Sequence, residues 1–238
     1  MLHTNIKMNH LEQSIINFVM IPSCIHIYPE GLPVNQKGTN NDPDVRFEQT
    51  KKTIESVKQR IPNCYILFLD CSPLTLEQVN YIRSHVDYFE DCKGDSYVHH
   101  QVFCAGNRKS SGERSYMLKA IRHLQSRNES LPNVKSVYKV GGRYWLNEQF
   151  DYSKYNGCNV DVLRTQWNGY VWSSCFKIDV HNLDTFYNML VSYENQFAMG
   201  YTMESFMRDY KANIQTSFEI DILGITALVN IVTKPEYQ

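Results

Sequence analysis

A chain of 238 residues, 42% hydrophobic and 21% charged, can bury a full core and lies outside the composition of disordered proteins. Its formal net charge of -1 offers no global basic field for nucleic acid and no acidic excess for a basic partner. Residues 1–17 place His3, Lys7, His10, Glu12 and Gln13 where a secretory leader needs an apolar run, and no stretch approaches the roughly 18 apolar residues of a spanning helix, so a cytoplasmic protein without a transmembrane segment is expected.

The seven cysteines form an odd set without a Cys-x-x-Cys pair, and Cys64 and Cys175 sit inside apolar runs. They read as free thiols in a reducing compartment, which leaves the sequon Asn128-Glu129-Ser130 without meaning. The 16 tyrosines suit sugar or base stacking and suit a core equally well.

In chain order, residues 16–21 are a short apolar run stopped by Pro22 and predict the first strand. Residues 29–44, rich in proline, glycine and asparagine, predict a long loop of the kind that often carries function. Phe47, Thr50, Ile54 and Val57 recur at helical spacing and predict a helix over 46–60, ended by Pro62. Residues 64–69 are a continuous apolar run, as in a parallel strand buried on both faces. A helix over 75–85 with Thr75 as N-cap and a short strand over 86–90 follow.

Residues from Ser110 open a strong helix with Tyr116, Met117, Ala120, Ile121 and Leu124 on one face. Ser110 stands three residues before Glu113, a capping-box spacing that makes both readable as helix punctuation. Strands are predicted over 134–140, 160–165 and 170–178, the last two as a hairpin through Trp167-Asn168-Gly169. Helices over 183–193 and 201–210 precede a closing segment, 220–232, read as strand-turn-strand or as a short helix and strand. Early βαβαβ alternation followed by antiparallel signals implies one α/β domain: a Rossmann-like mixed sheet flanked by helices, with a ligand-binding half to about residue 145 and an irregular half over 146–238.

Ligands of such sheets bind beyond the carboxyl ends of the strands, and three of those ends carry chemistry. They are Ile21-Pro22-Ser23 with Arg46 opening the next helix, Asp70-Cys71-Ser72, and Lys139-Val140-Gly141-Gly142-Arg143-Tyr144-Trp145. In the third, two glycines let backbone approach a ligand while Lys139 and Arg143 bracket them with charge. Arg143 can fork onto phosphate, and Tyr144 supplies a flat surface. A plain Gly-Gly turn beside a structural salt bridge accounts for the same letters.

Arg46-Phe-Glu-Gln-Thr50, the run ending Leu69-Asp70-Cys71-Ser72, Ser111-Gly112-Glu113 and Lys139-Val-Gly-Gly-Arg-Tyr144 occur in that order and together resemble GT-A-type glycosyltransferases of large DNA viruses, phages and bacterial surface-polysaccharide clusters. The likeness spans most of the chain, to the apolar segment 222–229. It implies a nucleotide-sugar donor, with Ser23, Arg46, Asp70 and Ser72 lining the nucleotide pocket. Asp70 would accept from base or ribose, and Arg46 would answer the diphosphate. Asp70 also reads as an end-of-strand turn residue.

GT-A enzymes usually hold Mn or Mg with an Asp-x-Asp on a mid-sheet strand, and the corresponding strand here ends in Gly-Gly-Arg instead. Asp42-Pro43-Asp44, Asp179 to Asp184 and Glu219-Ile220-Asp221 are the other acid groupings, and none fits that place in the chain. Cationic side chains replacing the metal wholly or partly are therefore expected. An inverting transferase needs a carboxylate to deprotonate the acceptor, and Glu204 in Met203-Glu204-Ser205-Phe206 is the candidate, with Glu113 and Asp221 in reserve. Glu204 also suits a helix's first turn without any catalytic role, and a retaining mechanism would not need that base.

His99-His100 lacks a Glu or Cys at ligand spacing and reads as surface or packing, the adjacent rings of a strand pointing apart. Gly-x-Gly-x-x-Gly, a Walker loop and a Gly-x-Ser-x-Gly elbow are missing, which weighs against dehydrogenases, kinases and serine hydrolases. The expected function is transfer of a sugar from a nucleotide-sugar donor to a glycan or lipid-linked acceptor. The alternatives are a non-catalytic nucleotide-sugar or glycan-binding module, or a sugar nucleotidyltransferase, whose Gly-rich loop Pro22-Ser23-Cys24 does not supply.

Overall fold

The computed structural model describes residues 16–27, 42–105, 108–156, 160–166, 168–214 and 217–227. Most of the loop expected over 29–44, the hairpin residue Trp167, Cys158 and the end of the 220–232 segment lie outside them.

Strand β1 (Asn17–Ser23) is the innermost of the parallel strands because every one of Phe18, Val19, Met20 and Ile21 is fully buried. It pairs in parallel with β2 (Cys64–Asp70) on one side and β4 (Ser136–Val140) on the other, while β3 (Tyr88–Asp91) adds to β2. The chain then returns through β7 (Cys175–Asp179), antiparallel to β4, which also pairs with β6 (Asp161–Leu163). Short β8 (Ser217–Glu219) edges β6, giving the seven-stranded order β3-β2-β1-β4-β7-β6-β8. A separate ribbon pairs β5 (Trp145–Leu146) with β9 (Ile225–Thr226). Because β4 hydrogen-bonds β7, the two expected halves of the chain share one sheet.

Alternation along the strands feeds two cores, one on each face. Phe18, Met20, Leu67 and Phe176 pack against helices α4 (Arg108–Ser126), α6 (Leu183–Ser192) and α8 (Met203–Asn213). Val19, Ile21, Phe68 and Val140 pack against α1 (Pro43–Arg60) and α2 (Leu76–His85), together with Leu146 and Phe150. The result is an α/β fold with a mixed sheet between helical layers. Among the described residues, no helix is long and apolar enough to cross a membrane.

Several boundaries differ from the sequence expectations. Helix α1 begins at Pro43, not 46, since Asp42 caps it by accepting from Asp44 N–H at 2.9 Å and Pro43 fits a first-turn position. Thr75 caps α2 as expected, in a full capping box with Gln78. The expected capping box at Ser110 does not form, because α4 starts earlier at Arg108 and places Ser110 inside the helix. Its hydroxyl instead accepts from Met203 N–H at 3.1 Å. Residues 96–103, where no helix is predicted, form α3 (Ser96–Phe103) capped by Asp95, so His99 and His100 are on a helix rather than a strand. Helices α5 (Tyr152–Asn156) and α7 (Glu194–Ala198) are single turns without enough periodicity to read. The six described cysteines are free, and burial pushes the thiols of Cys64, Cys71 and Cys175 up to about 12.

Candidate active site

A cleft of about 940 Å³ opens where the carboxyl ends of β1 and β4 meet, with the start of β7 and the N-terminus of α8 as its far wall. Strand connections leave β1 and β4 in opposite directions, which makes this the switch point of the parallel sheet. Of the residues singled out in the sequence, Ser23, Arg46, Lys139, Gly142, Arg143, Tyr144, Glu204 and the reserve Glu113 line it, and Asp221 does not.

Gly142 sits where the end of β4 passes close against the end of β1. Its N–H donates to Pro22 O at 2.9 Å, its carbonyl accepts from Thr50 Oγ1 at 3.0 Å, and a Cβ there would lie 2.6 Å from Ser23 Cβ. The glycine therefore clamps the end of β4 to β1 and α1, and Arg143 and Tyr144 follow it into the cleft.

The cations of the cleft are not equivalent. Lys139 is buried and donates to Glu113 and to Ser173 O, so its charge is already answered. Arg46 is only 4% exposed; Nε and Nη2 donate to Cys24 O at 2.9 and 2.5 Å, but Nη1 is buried without a hydrogen-bond partner. Burial first, and the neighbouring Arg143 guanidinium second, pull the Arg46 pKa down to about 10. Arg143 itself makes no hydrogen bond or ion pair among the described residues. Ser23 Oγ and Ser174 Oγ are likewise buried and unpartnered at the cleft wall.

Two carboxylates border the cleft. Glu113 holds Lys139. Glu204, in the first turn of α8, accepts from Ser173 Oγ at 3.0 Å and lies 3.7 Å from Lys109 Nζ. Burial opposes its charge, yet Lys109, the helix backbone and Ser173 outweigh it and hold the carboxyl below the ordinary glutamate range.

Asp70 and Ser72 are placed one layer behind the cleft. Asp70 is fully buried; Oδ2 accepts from Ile25 N–H at 3.0 Å, and Oδ1 accepts from Ser72 N–H at 2.7 Å and Ser72 Oγ at 2.5 Å. Its oxygens are spent on fixing the segment after β1, whose Cys24 carbonyl receives Arg46. The end-of-strand turn reading is the one this geometry supports.

Sequence reasoning missed Lys109, Tyr170, Trp172 and Ser174. A signal for Lys109 was present, since a cation in a helix's first turn opposes the helix dipole. A second signal was the alternation Tyr170-Val171-Trp172 around a buried valine.

The donor set does not suit Mn or Mg. The cleft's carboxylates are each engaged with a lysine, and among the described residues no group of three or more His, Cys, Asp or Glu could hold a metal ion.

No protein-family model matches the chain, and no curated protein matches its sequence. Among solved structures it is similar to a glycosyltransferase involved in glycosylation of the major capsid of PBCV-1, at 10% identity and a TM-score of 0.43, over 87% of this chain and 81% of that one. It is also similar to the glycosyltransferase GlyE of Streptococcus pneumoniae TIGR4, at 9% identity and a TM-score of 0.46, over 87% of this chain and 45% of that one.

Proposed function

We propose that the cleft binds the diphosphate of a nucleotide-sugar donor and that the protein is a glycosyltransferase acting on a glycan or lipid-linked acceptor. The observation that carries this reading is Arg46: a buried guanidinium with an unpaired Nη1, set beside a second arginine, at the switch point of the sheet. Burial opposes the Arg46 charge more than Asp70 behind it supports that charge, and a diphosphate bridging Arg46 and Arg143 gives the unpartnered Nη1 an acceptor with bidentate geometry.

The same cations then stabilise the leaving group. Acceptor oxygen bonds to the anomeric carbon, the bond from that carbon to the diphosphate oxygen breaks, and the diphosphate departs with the electron pair against Arg46 and Arg143. Glu204 takes the acceptor's hydroxyl proton, which its ionised state permits. A second reading, a binding module that keeps the pocket without turnover, is favoured by one observation: Lys109 holds Glu204 low, which makes it a weak base.

The test is release of nucleoside diphosphate from a panel of sugar nucleotides, with and without chelator. The wild type is expected to turn over at least one donor, and Glu204→Gln to bind it equally well and turn over none. Equal rates in the variant discard Glu204 as the base. Tight binding of a donor without turnover in wild type selects the binding module.

A further inference from the structure

Residues 164–166 and 170–172 pair as a short antiparallel ribbon along the cleft wall. Trp172 N–H donates to Arg164 O at 2.9 Å, Thr165 bridges Val171, and Val171 N–H reaches Glu204 O at 3.5 Å. Val171 is fully buried in the α4/α6/α8-side core, so the residues on either side of it, Tyr170 and Trp172, turn the other way and border the cleft half-buried. Both rings are held in place before any ligand arrives. Trp172 packs against the α1-side core, and Arg208 lies 5.3 Å from the centre of the Tyr170 ring, itself fixed by Asp209 and Tyr201 OH at 3.1 Å.

Polar groups rim these two flat surfaces. Ser174 Oγ is buried without a hydrogen-bond partner, Gln166 and Thr202 border the same wall, and the Glu204 carboxylate stands beside it. The ribbon leads into β7, which neighbours β4 on the side away from β1, so it faces the arginines across the Gly141–Tyr144 turn. Gly141 N–H donates to Ser174 O at 2.9 Å and fastens the two sides together.

We propose that residues 170–174 form the acceptor subsite and that the acceptor is a saccharide, seated with a ring face on Trp172 and Tyr170 and its hydroxyls on Ser174, Gln166 and Glu204. A pyranose ring presents a flat face of C–H groups bounded by hydroxyls, which matches aromatic surfaces bounded by polar groups, the buried Ser174 Oγ among them without a partner. An acyl chain would cover the rings and leave Ser174 Oγ buried and unpaired, whereas a sugar hydroxyl gives that oxygen a partner. The word acceptor rests on the transferase reading above; the saccharide subsite does not.

The test uses saturation-transfer NMR with methyl pyranosides on the whole protein, alongside calorimetric titration with uridine and guanosine diphosphates. Wild type is expected to bind at least one pyranoside, with saturation strongest at its ring C–H protons. Trp172→Ala and Tyr170→Ala should each weaken that binding roughly tenfold, with Trp172→Phe retaining most of it. Nucleoside diphosphate affinity should stay within about twofold in all three variants. Near-ultraviolet circular dichroism identifies any variant that fails to fold, in which case the folded alanine variant decides. No pyranoside binding in wild type, or unchanged binding in the alanine variants, overturns the proposal. A parallel fall in nucleoside diphosphate affinity overturns it in favour of base stacking. Pyranoside binding that disappears in Trp172→Ala, in a protein that binds no nucleoside diphosphate, upholds the saccharide subsite while the transferase reading falls.

Discussion

Arg46 Nη1 and Ser174 Oγ are both buried, and neither has a hydrogen-bond partner within the fold. Removing the exposed end of such a site should cost ligand binding and nothing else. Arg143→Ala is thus expected to weaken nucleoside diphosphate binding by about 1.5–3 kcal/mol, roughly ten- to a hundredfold, with the unfolding midpoint unmoved. Asp70→Asn should lower both, because an amide NH₂ cannot accept from Ile25 or Ser72 and the Cys24 carbonyl that receives Arg46 loses its anchor. Calorimetry and thermal unfolding of the two variants separate a ligand-binding group from its support.

Lys109 gives a pH test. It depresses the Glu204 carboxyl, and a base must be ionised to work, so activity should rise with pH through the Glu204 pKa. Lys109→Ala removes the depressing charge, so the acid limb of kcat/KM should move to higher pH; an unmoved limb means another group titrates. At this scale the sequence named Lys139 and Arg143 alike as donor cations, and only one is unpaired. Glu113 lies 26 positions from Lys139, and no local pattern ties two such residues together.

Elements explain why the cleft has its shape. The Gly141-Gly142 pair was legible as a place of close approach, and within the fold Gly142 closes on the end of β1 and on Thr50 of α1. Gly142→Ala should therefore destabilise the fold by about 1–3 kcal/mol through overpacking, measured by chemical denaturation; a neutral effect would show that β1 and β4 are not clamped there. Long periodic helices and fully apolar strands were readable to within a few residues. Capping at Ser110 was misread because the motif's local spacing is satisfied while α4 begins earlier and gives that hydroxyl to α8. The three-residue strand β8 carries too little alternation to announce itself, whereas β6 falls within the strand predicted over 160–165.

Across the whole molecule, the early βαβ alternation predicted the parallel sheet, and the sheet's switch point then fixed where a ligand would sit. What the sequence left open was how the second half joins: β7 enters antiparallel beside β4 and carries the 170–174 ribbon and Glu204's neighbours to the cleft. That insertion depends on pairings between segments about 40 residues apart, which no local signal encodes. The central claim is that buried Arg46, with its unpartnered Nη1, and the neighbouring Arg143, with no metal needed, bind a diphosphate at this switch point. Its most direct test is calorimetric titration of the wild-type protein with uridine, guanosine, thymidine and cytidine diphosphates in the presence of chelator. Saturable binding of at least one of them is expected, weakening as salt rises. Binding that requires manganese or magnesium, or no binding of any diphosphate, contradicts it.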